Sequence, residues 1–145
     1  MKTLSNACVY GLRALIYMAL KEDTSQFVSI REISEKMDIS FHFLTKTFQT
    51  LTERGLLKSY RGPKGGVAFE KEPSDIFLID VVKIIDGEDF FDICLLGLPG
   101  CGEETPCPVH DFWKTTKDTM KLEFETTSLA DLAEKVHRKR LRIND

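Results

Sequence analysis

Apolar side chains in the first third of the chain recur at helical spacing. Leu12, Leu15, Ile16 and Ala19 stand at i, i+3, i+4 and i+7, which predicts an amphipathic helix over roughly residues 5–21. Glu22 to Gln26 is a polar break. Ser29 followed by Glu32 has the form of a capping box, opening a short helix with Ile30, Ile33 and Met37 on one side. A brief turn at Asp38-Ile39 leads to Ser40, which caps a further helix with Leu44, Phe48 and Leu51 along one face. Gly55 stands where that helix must stop, because a left-handed residue is needed there.

Beyond Gly55 the period changes from helix to strand. Leu56–Tyr60 reads as a strand, Arg61-Gly-Pro-Lys-Gly-Gly66 as a turn and Val67–Phe69 as the returning strand. A helix over about 78–86 ends at Gly87. A loop rich in Gly and Pro follows, then a long helix over about 111–125 on which Phe112 and Trp113 are expected to pack at the start. Ser128 with Asp131 caps a last, shorter helix. The fold class expected is mainly α with a small β-hairpin wing. A winged helix-turn-helix occupies residues 1–72, and residues 73–145 hold a cysteine loop and a long C-terminal dimerisation helix.

Composition adds one strong feature, an asymmetry of charge. The whole 145-residue chain has a net charge of −3, but residues 1–72 carry 11 Lys and Arg against 8 Asp and Glu, and residues 73–145 carry 9 against 15. Between Ile39 and Lys71 six basic side chains face two acidic ones, so the basic half is where a polyanion would bind. The tail from Lys135 to Arg142 holds five more basic residues and His137. The longest uncharged apolar run near the N-terminus, Ala14–Leu20, is too short to span a bilayer, and the expected location is the cytoplasm. No Walker, G-x-S-x-G or H-E-x-x-H motif is present, and an enzyme is not expected.

The second helix of a helix-turn-helix enters the major groove and presents its N-terminal residues to base edges. Here those residues are Ser40, His42, Phe43, Thr45 and Lys46, with Gln49 one turn on. Thr45, Gln49 and His42 have hydrogen-bonding groups for base edges, and Lys46 suits phosphate or guanine. The turn between the strands adds Arg61, Gly62, Pro63 and Lys64, a basic tip on a backbone able to approach a groove. The partner expected is double-stranded DNA. The local excess of positive charge is small for one copy, so a homodimer, with twice the phosphate contacts, is expected.

Cys94-x6-Cys101-x5-Cys107-x2-His110 gathers four soft or borderline donors on a loop in which glycines and prolines allow wrapping. In a reducing compartment such thiols point to a metal or to redox chemistry rather than to disulfides. Zinc knuckles use closer pairs, and the wider spacings suit a larger cluster, but spacing alone leaves zinc and iron–sulfur both open. Cys8, on the first helix, is expected to be a small apolar core residue.

With these residues in view, the chain resembles the IscR/NsrR group of Rrf-type winged-helix transcription regulators over nearly its whole length. Tyr10-Gly-Leu-Arg-Ala14, Ile39-Ser40 leading into the recognition helix, Gly55-Leu-Leu57, Arg61-Gly-Pro-Lys-Gly-Gly66, the cysteine triplet with Pro108-Val-His110 and Trp113, and Thr127-Ser-Leu-Ala-Asp-Leu132 carry the resemblance. It implies a homodimer held by the long helix, and an iron–sulfur cluster that tunes DNA binding. It assigns ligand roles to Cys94, Cys101, Cys107 and His110 and favours a 2Fe–2S over a 4Fe–4S cluster. In the four-iron branch the fourth ligand comes from helix 1 of the other subunit, a position aligned with Val9, whose neighbour Cys8 is the outside candidate. The first cysteine gap is six where the IscR pattern has five, Phe43 replaces a frequent tyrosine and Val67 another, and Thr45 stands where a site-selecting glutamate is found. Target sequence therefore does not transfer.

Overall fold

The structure, a computed structural model, describes residues 4–143. Six helices and one hairpin follow in the order α1 (Asn6–Ala19), α2 (Ile30–Met37), α3 (Phe41–Glu53), β1 (Leu57–Tyr60), β2 (Gly66–Phe69), α4 (Leu78–Asp86), α5 (His110–Thr126) and α6 (Leu129–Lys139). The Ser5 hydroxyl caps α1, Ser40 caps α3, and Ser128 with Asp131 forms the full reciprocal box at α6. At α2 only half of the expected box forms. Ser29 Oγ accepts from the Glu32 N–H at 2.9 Å, but the Glu32 carboxylate turns away to accept from Tyr17 Oη at 2.7 Å and Lys21 Nζ at 2.6 Å. That pair of charge-assisted and hydroxyl bonds outcompetes one backbone donor and ties α2 to α1.

α1 lies at the centre, packed against α2, α3, α4 and α6. Leu15, Ile33, Leu44, Phe48, Leu51, Val81 and Leu129 share the main core with it, so both sides of residue 72 contribute. A smaller core holds Cys8, Ile79, Val82 and Phe91, with Met120 and Phe124 against its edge. The hairpin is antiparallel, with Leu57 opposite Phe69 and Tyr60 opposite Gly66. Val28, just before α2, pairs with Val67 through N–H···O bonds of 2.8 and 2.9 Å and fixes the wing to the helix pair.

Helix α5 is the exception to this packing, because none of its 17 residues is buried. Phe112 is 68% and Leu122 61% exposed, so the expected packing of Phe112 does not occur within one chain. No helix among the described residues is long and apolar enough to cross a membrane.

The glycine pair of the wing turn has a steric reason. A Cβ on Gly66 would stand 2.0 Å from the Val28 carbonyl oxygen, and one on Gly65 2.1 Å from that of Tyr60. Gly55 has a φ of +85° but open space around it. Gly55→Ala is therefore expected to cost only left-handed strain, about 1 kcal/mol, whereas Gly66→Ala must also break the Val28–Val67 pairing and should cost roughly 3 kcal/mol. Urea unfolding of the two variants checks this, and equal midpoints would refute the steric reading.

Candidate nucleic-acid interface and thiol site

Helix α3 buries Leu44, Phe48 and Leu51, which turns the alternate face outward. Ser40, His42, Thr45, Lys46 and Gln49 are exposed on it. Phe43 differs, for its ring is half-buried and packs edge-on against Tyr10 with centroids 5.6 Å apart. Arg61, Gly62, Pro63 and Lys64 are all exposed at the wing tip, beyond the last pair of the ladder, Tyr60 with Gly66. Thr45 and Gln49 of α3 and Arg61 of the wing line one cleft, so the structure brings these three together. Ser59 lines it too, a residue that the sequence reading does not single out. Its signal is strand alternation, since Ser59 lies two positions from buried Leu57 and so shares the face toward α3.

The loop after α4 gathers the three cysteines as expected. The Sγ atoms of Cys94, Cys101 and Cys107 all lie within 4.8 Å of one another. Cys94 and Cys107 are 3.8 Å apart, and Cys101 Sγ is 3.5 Å from His110 Nδ1. His110 opens α5, and its Nε2 is buried without a hydrogen-bond partner, the nearest acid being Glu103 at 3.8 Å. Glu103 itself is held by Lys114 Nζ at 2.6 Å. The loop is stapled to α5 at one carbonyl. Ile93 O accepts from Trp113 Nε1 at 2.7 Å and from Lys117 Nζ at 3.2 Å, immediately before Cys94. Nothing in the spacing of the sequence marks that staple.

Backbone donors at Leu98 and Leu96, with help from the other two thiols, hold the Cys94 thiol down at about 7. Cys101 is raised: the Cys107 backbone donor pulls it down, but burial and the two neighbouring sulfurs outweigh that. Three sulfurs so close favour one thiolate at a time and resist the second. Cys8 is fully buried, and burial with Asp86 nearby pushes its thiol up to about 12. It is an inert core residue in this chain.

The donor set fits a thiolate-bound metal. A metal–sulfur bond of about 2.3 Å gives a tetrahedral edge of about 3.8 Å, and the Cys94–Cys107 separation of 3.8 Å matches it. The Cys101–His110 pair, at 3.5 Å, fits the slightly shorter edge that a nitrogen donor makes. The unpartnered buried Nε2 marks an imidazole whose polar needs the protein alone leaves unmet.

A winged helix-turn-helix with an exposed face on its second helix, beside a loop that gathers three thiols and an imidazole, defines the class of DNA-binding transcription regulators. The Rrf2 model, described as an iron-dependent transcriptional regulator, matches residues 4–135, and the chain belongs to that family. An HTH-type transcriptional regulator of Aquifex aeolicus is 34% identical over 130 residues, covering 88% of this chain and 89% of the relative. The regulator IscR of Klebsiella pneumoniae is 29% identical over 85% of this chain and 74% of its own length. Among solved structures, the global cysteine regulator CymR of B. subtilis superposes with a TM-score of 0.76 at 26% identity, covering 92% of this chain and 98% of that one. IscR of T. potens gives 0.76 at 23% identity over 98% of this chain and 93% of that one, a likeness of fold. These relatives are transcriptional regulators, not enzymes.

The thiol order gives a pH test. In metal-free chain, iodoacetamide should label Cys94 first, with a rate that is half-maximal near pH 7, because the thiolate is the nucleophile. Cys101 should need a distinctly higher pH, and Cys8 should react only on unfolding. Mass spectrometry of the peptides reads the order, and identical pH profiles for Cys94 and Cys101 would contradict it.

Proposed function

We propose that the chain is a homodimeric transcription regulator whose DNA affinity is set by an iron–sulfur cluster held by Cys94, Cys101, Cys107 and His110. The observation that carries the cluster reading is the gathering of three thiols and one imidazole on one loop, with the sulfurs within 4.8 Å of one another, Cys94 and Cys107 3.8 Å apart and Cys101 3.5 Å from His110. Cys94, Cys101, Cys107 and His110 would hold the cluster, and a histidine as the fourth donor favours a 2Fe–2S cluster over a 4Fe–4S one, as the resemblance to the IscR branch implies. When bound, the cluster supplies a one-electron, oxidant-sensitive centre. The protein's part is mechanical. Donors on the loop and at the first residue of α5 are drawn together, and the Ile93 carbonyl passes the position of Cys94 to Trp113 and Lys117 on α5.

Helix α5 is the surface on which a second copy docks, supported by its lack of any buried residue and by exposed Phe112 and Leu122. The geometry of α5 then sets the distance between the two α3 helices, and half-sites one helical turn of DNA apart, about 34 Å, accept only a narrow range. Ser40, His42, Thr45, Lys46 and Gln49 read the major groove, Phe43 braces the helix against Tyr10, and Arg61 to Lys64 reach the adjacent groove. A division of labour between residues 1–72 and 73–145 follows. The mutual separation of the three sulfurs, within 4.8 Å, favours a second reading, in which a single zinc or iron ion takes the same donors.

Anaerobic protein with iron and sulfide quantified on the same sample tests the cluster. Visible charge-transfer bands with equimolar iron and sulfide are expected; a bound metal without sulfide selects the single-ion reading, and colourless protein that resists reconstitution moves the triplet to zinc or to a thiol redox switch. Cys101→Ala should abolish the difference in DNA affinity between loaded and metal-free chain. Retention of that difference would remove the loop from the mechanism. Leu122→Asp, placing a charge on the exposed face of α5, should weaken the dimer at least tenfold by sedimentation, about 1.4 kcal/mol, and a fully dimeric variant would move the interface elsewhere.

A further inference from the structure

The acidic half of the chain has one basic island. Of the nine Lys and Arg between 73 and 145, five fall within residues 135–142, which contain no Asp or Glu, whereas acids outnumber bases fourteen to four from 73 to 134. Cations in the last turn of a helix offset its dipole, which accounts for Arg138, while Lys139 is the last residue of α6 and is exposed. Arg138 is further engaged by Glu134 at 3.5 Å. Arg140 and Arg142 lie past that turn, where the dipole offers little, and both are exposed.

The chain does not run free after α6. Arg140 adopts a left-handed φ of 50°, Leu141 N–H bonds back to Val136 O at 3.2 Å, and the backbone turns toward α1. There the Ile143 carbonyl accepts from Arg13 Nε at 3.4 Å, and Ile143 packs on the main core. The Arg13 guanidinium lies 5.8 Å from the centre of the Tyr10 ring, and Tyr10 packs edge-on against Phe43 of α3 at 5.6 Å. The basic tail is thus joined through Arg13 and Tyr10 to the first turn of the recognition helix. A strongly acidic half would repel a duplex lying on α3. The fold instead brings the end of that half back to α1, the helix on which α3 packs.

We infer that Lys139, Arg140 and Arg142 form a phosphate-binding strap that engages the DNA backbone flanking the bases read by α3. This rests on the DNA-binding reading given above, and extends its footprint to the far end of the chain. Backbone cations position a protein without reading sequence, so the strap adds affinity equally to all duplexes and steepens salt dependence.

The test compares the full chain with K139Q/R140Q/R142Q on two probes, a mixed-sequence duplex and a duplex selected by the wild-type chain from a random pool. Each phosphate that is no longer neutralised should lower the slope of log K against log salt by about 0.9, so a dimer giving up one phosphate per subunit shifts by roughly 2. The weakening should be of equal size on both probes, leaving their affinity ratio unchanged, and K139R/R140K/R142K should restore the slope. An unchanged slope in the triple Gln variant overturns the strap and leaves DNA reading by α3 intact. A weakening confined to the selected duplex also overturns it, because it signals a disturbed α3 and not the removal of backbone cations. Failure of the wild-type chain to bind either duplex at any salt overturns the DNA-binding reading itself, and the strap with it.

Discussion

The close approach of α1 to two helices at once is the constraint on which the rest of the structure depends. Gly11 is buried where a Cβ would meet Ile85 Cδ1 of α4 and Thr47 Cγ2 of α3, each at 3.1 Å. With no side chain there, α1 holds the recognition helix on one side and α4 on the other. Tyr10, one residue earlier, braces Phe43, and Tyr17, two turns on, binds the Glu32 that orients α2. One helix therefore sets the angle of the helix-turn-helix, and the Val28–Val67 pairing then sets the wing relative to it.

The same helix lies between the reading head and the thiol loop. Phe91, in the turn before Cys94, packs edge-on against Phe124 of α5 with centroids 5.6 Å apart, and it shares the smaller core with Cys8 of α1 and with Ile79 and Val82 of α4. From α4 the packing continues through Ile85 to the Gly11–Thr47 approach. A contiguous apolar route thus joins the loop to α3. Contiguity alone is not coupling, because signal transfer requires an element with two arrangements biased from both ends. Helix α5 meets the rest of the chain through Met120 and Phe124 at the edge of the smaller core and through polar contacts at Ile93 and Glu103.

What the sequence discloses follows the physics of local signals. Helical periodicity and serine caps place α1, α2, α3, α4 and α6 to within a residue or two, and the break at Gly55 marks the hairpin. Side chains that answer to distant partners are less visible. Glu32 has the spacing of a cap, and only the approach of Tyr17 and Lys21 from α1 draws it elsewhere. Phe112 is expected to pack because it is large and apolar, and within one chain nothing covers it, since α5 has no element beyond it to pack against. At the thiol site the ligand types are legible from the loop, whereas their grouping into Cys94–Cys107 and Cys101–His110 is a matter of how the loop folds back onto α5.

The distribution of charge ties these features into one design. A regulator must hold a thiol site that stays accessible and a DNA face that stays basic, and here the two lie in halves of opposite sign. The acidic excess lies after residue 72, which leaves Lys46 of α3 and Arg61 and Lys64 of the wing as exposed cations of the other half. An acidic half tethered beside a DNA-binding half weakens association by long-range repulsion, most of all at low salt where the Debye length is large. The end of α6 and its tail carry cations, and the backbone after them returns to α1 at Arg13. The basic segment that closes residues 73–145 thus returns to α1, on which α3 also packs, and not to the cysteine loop.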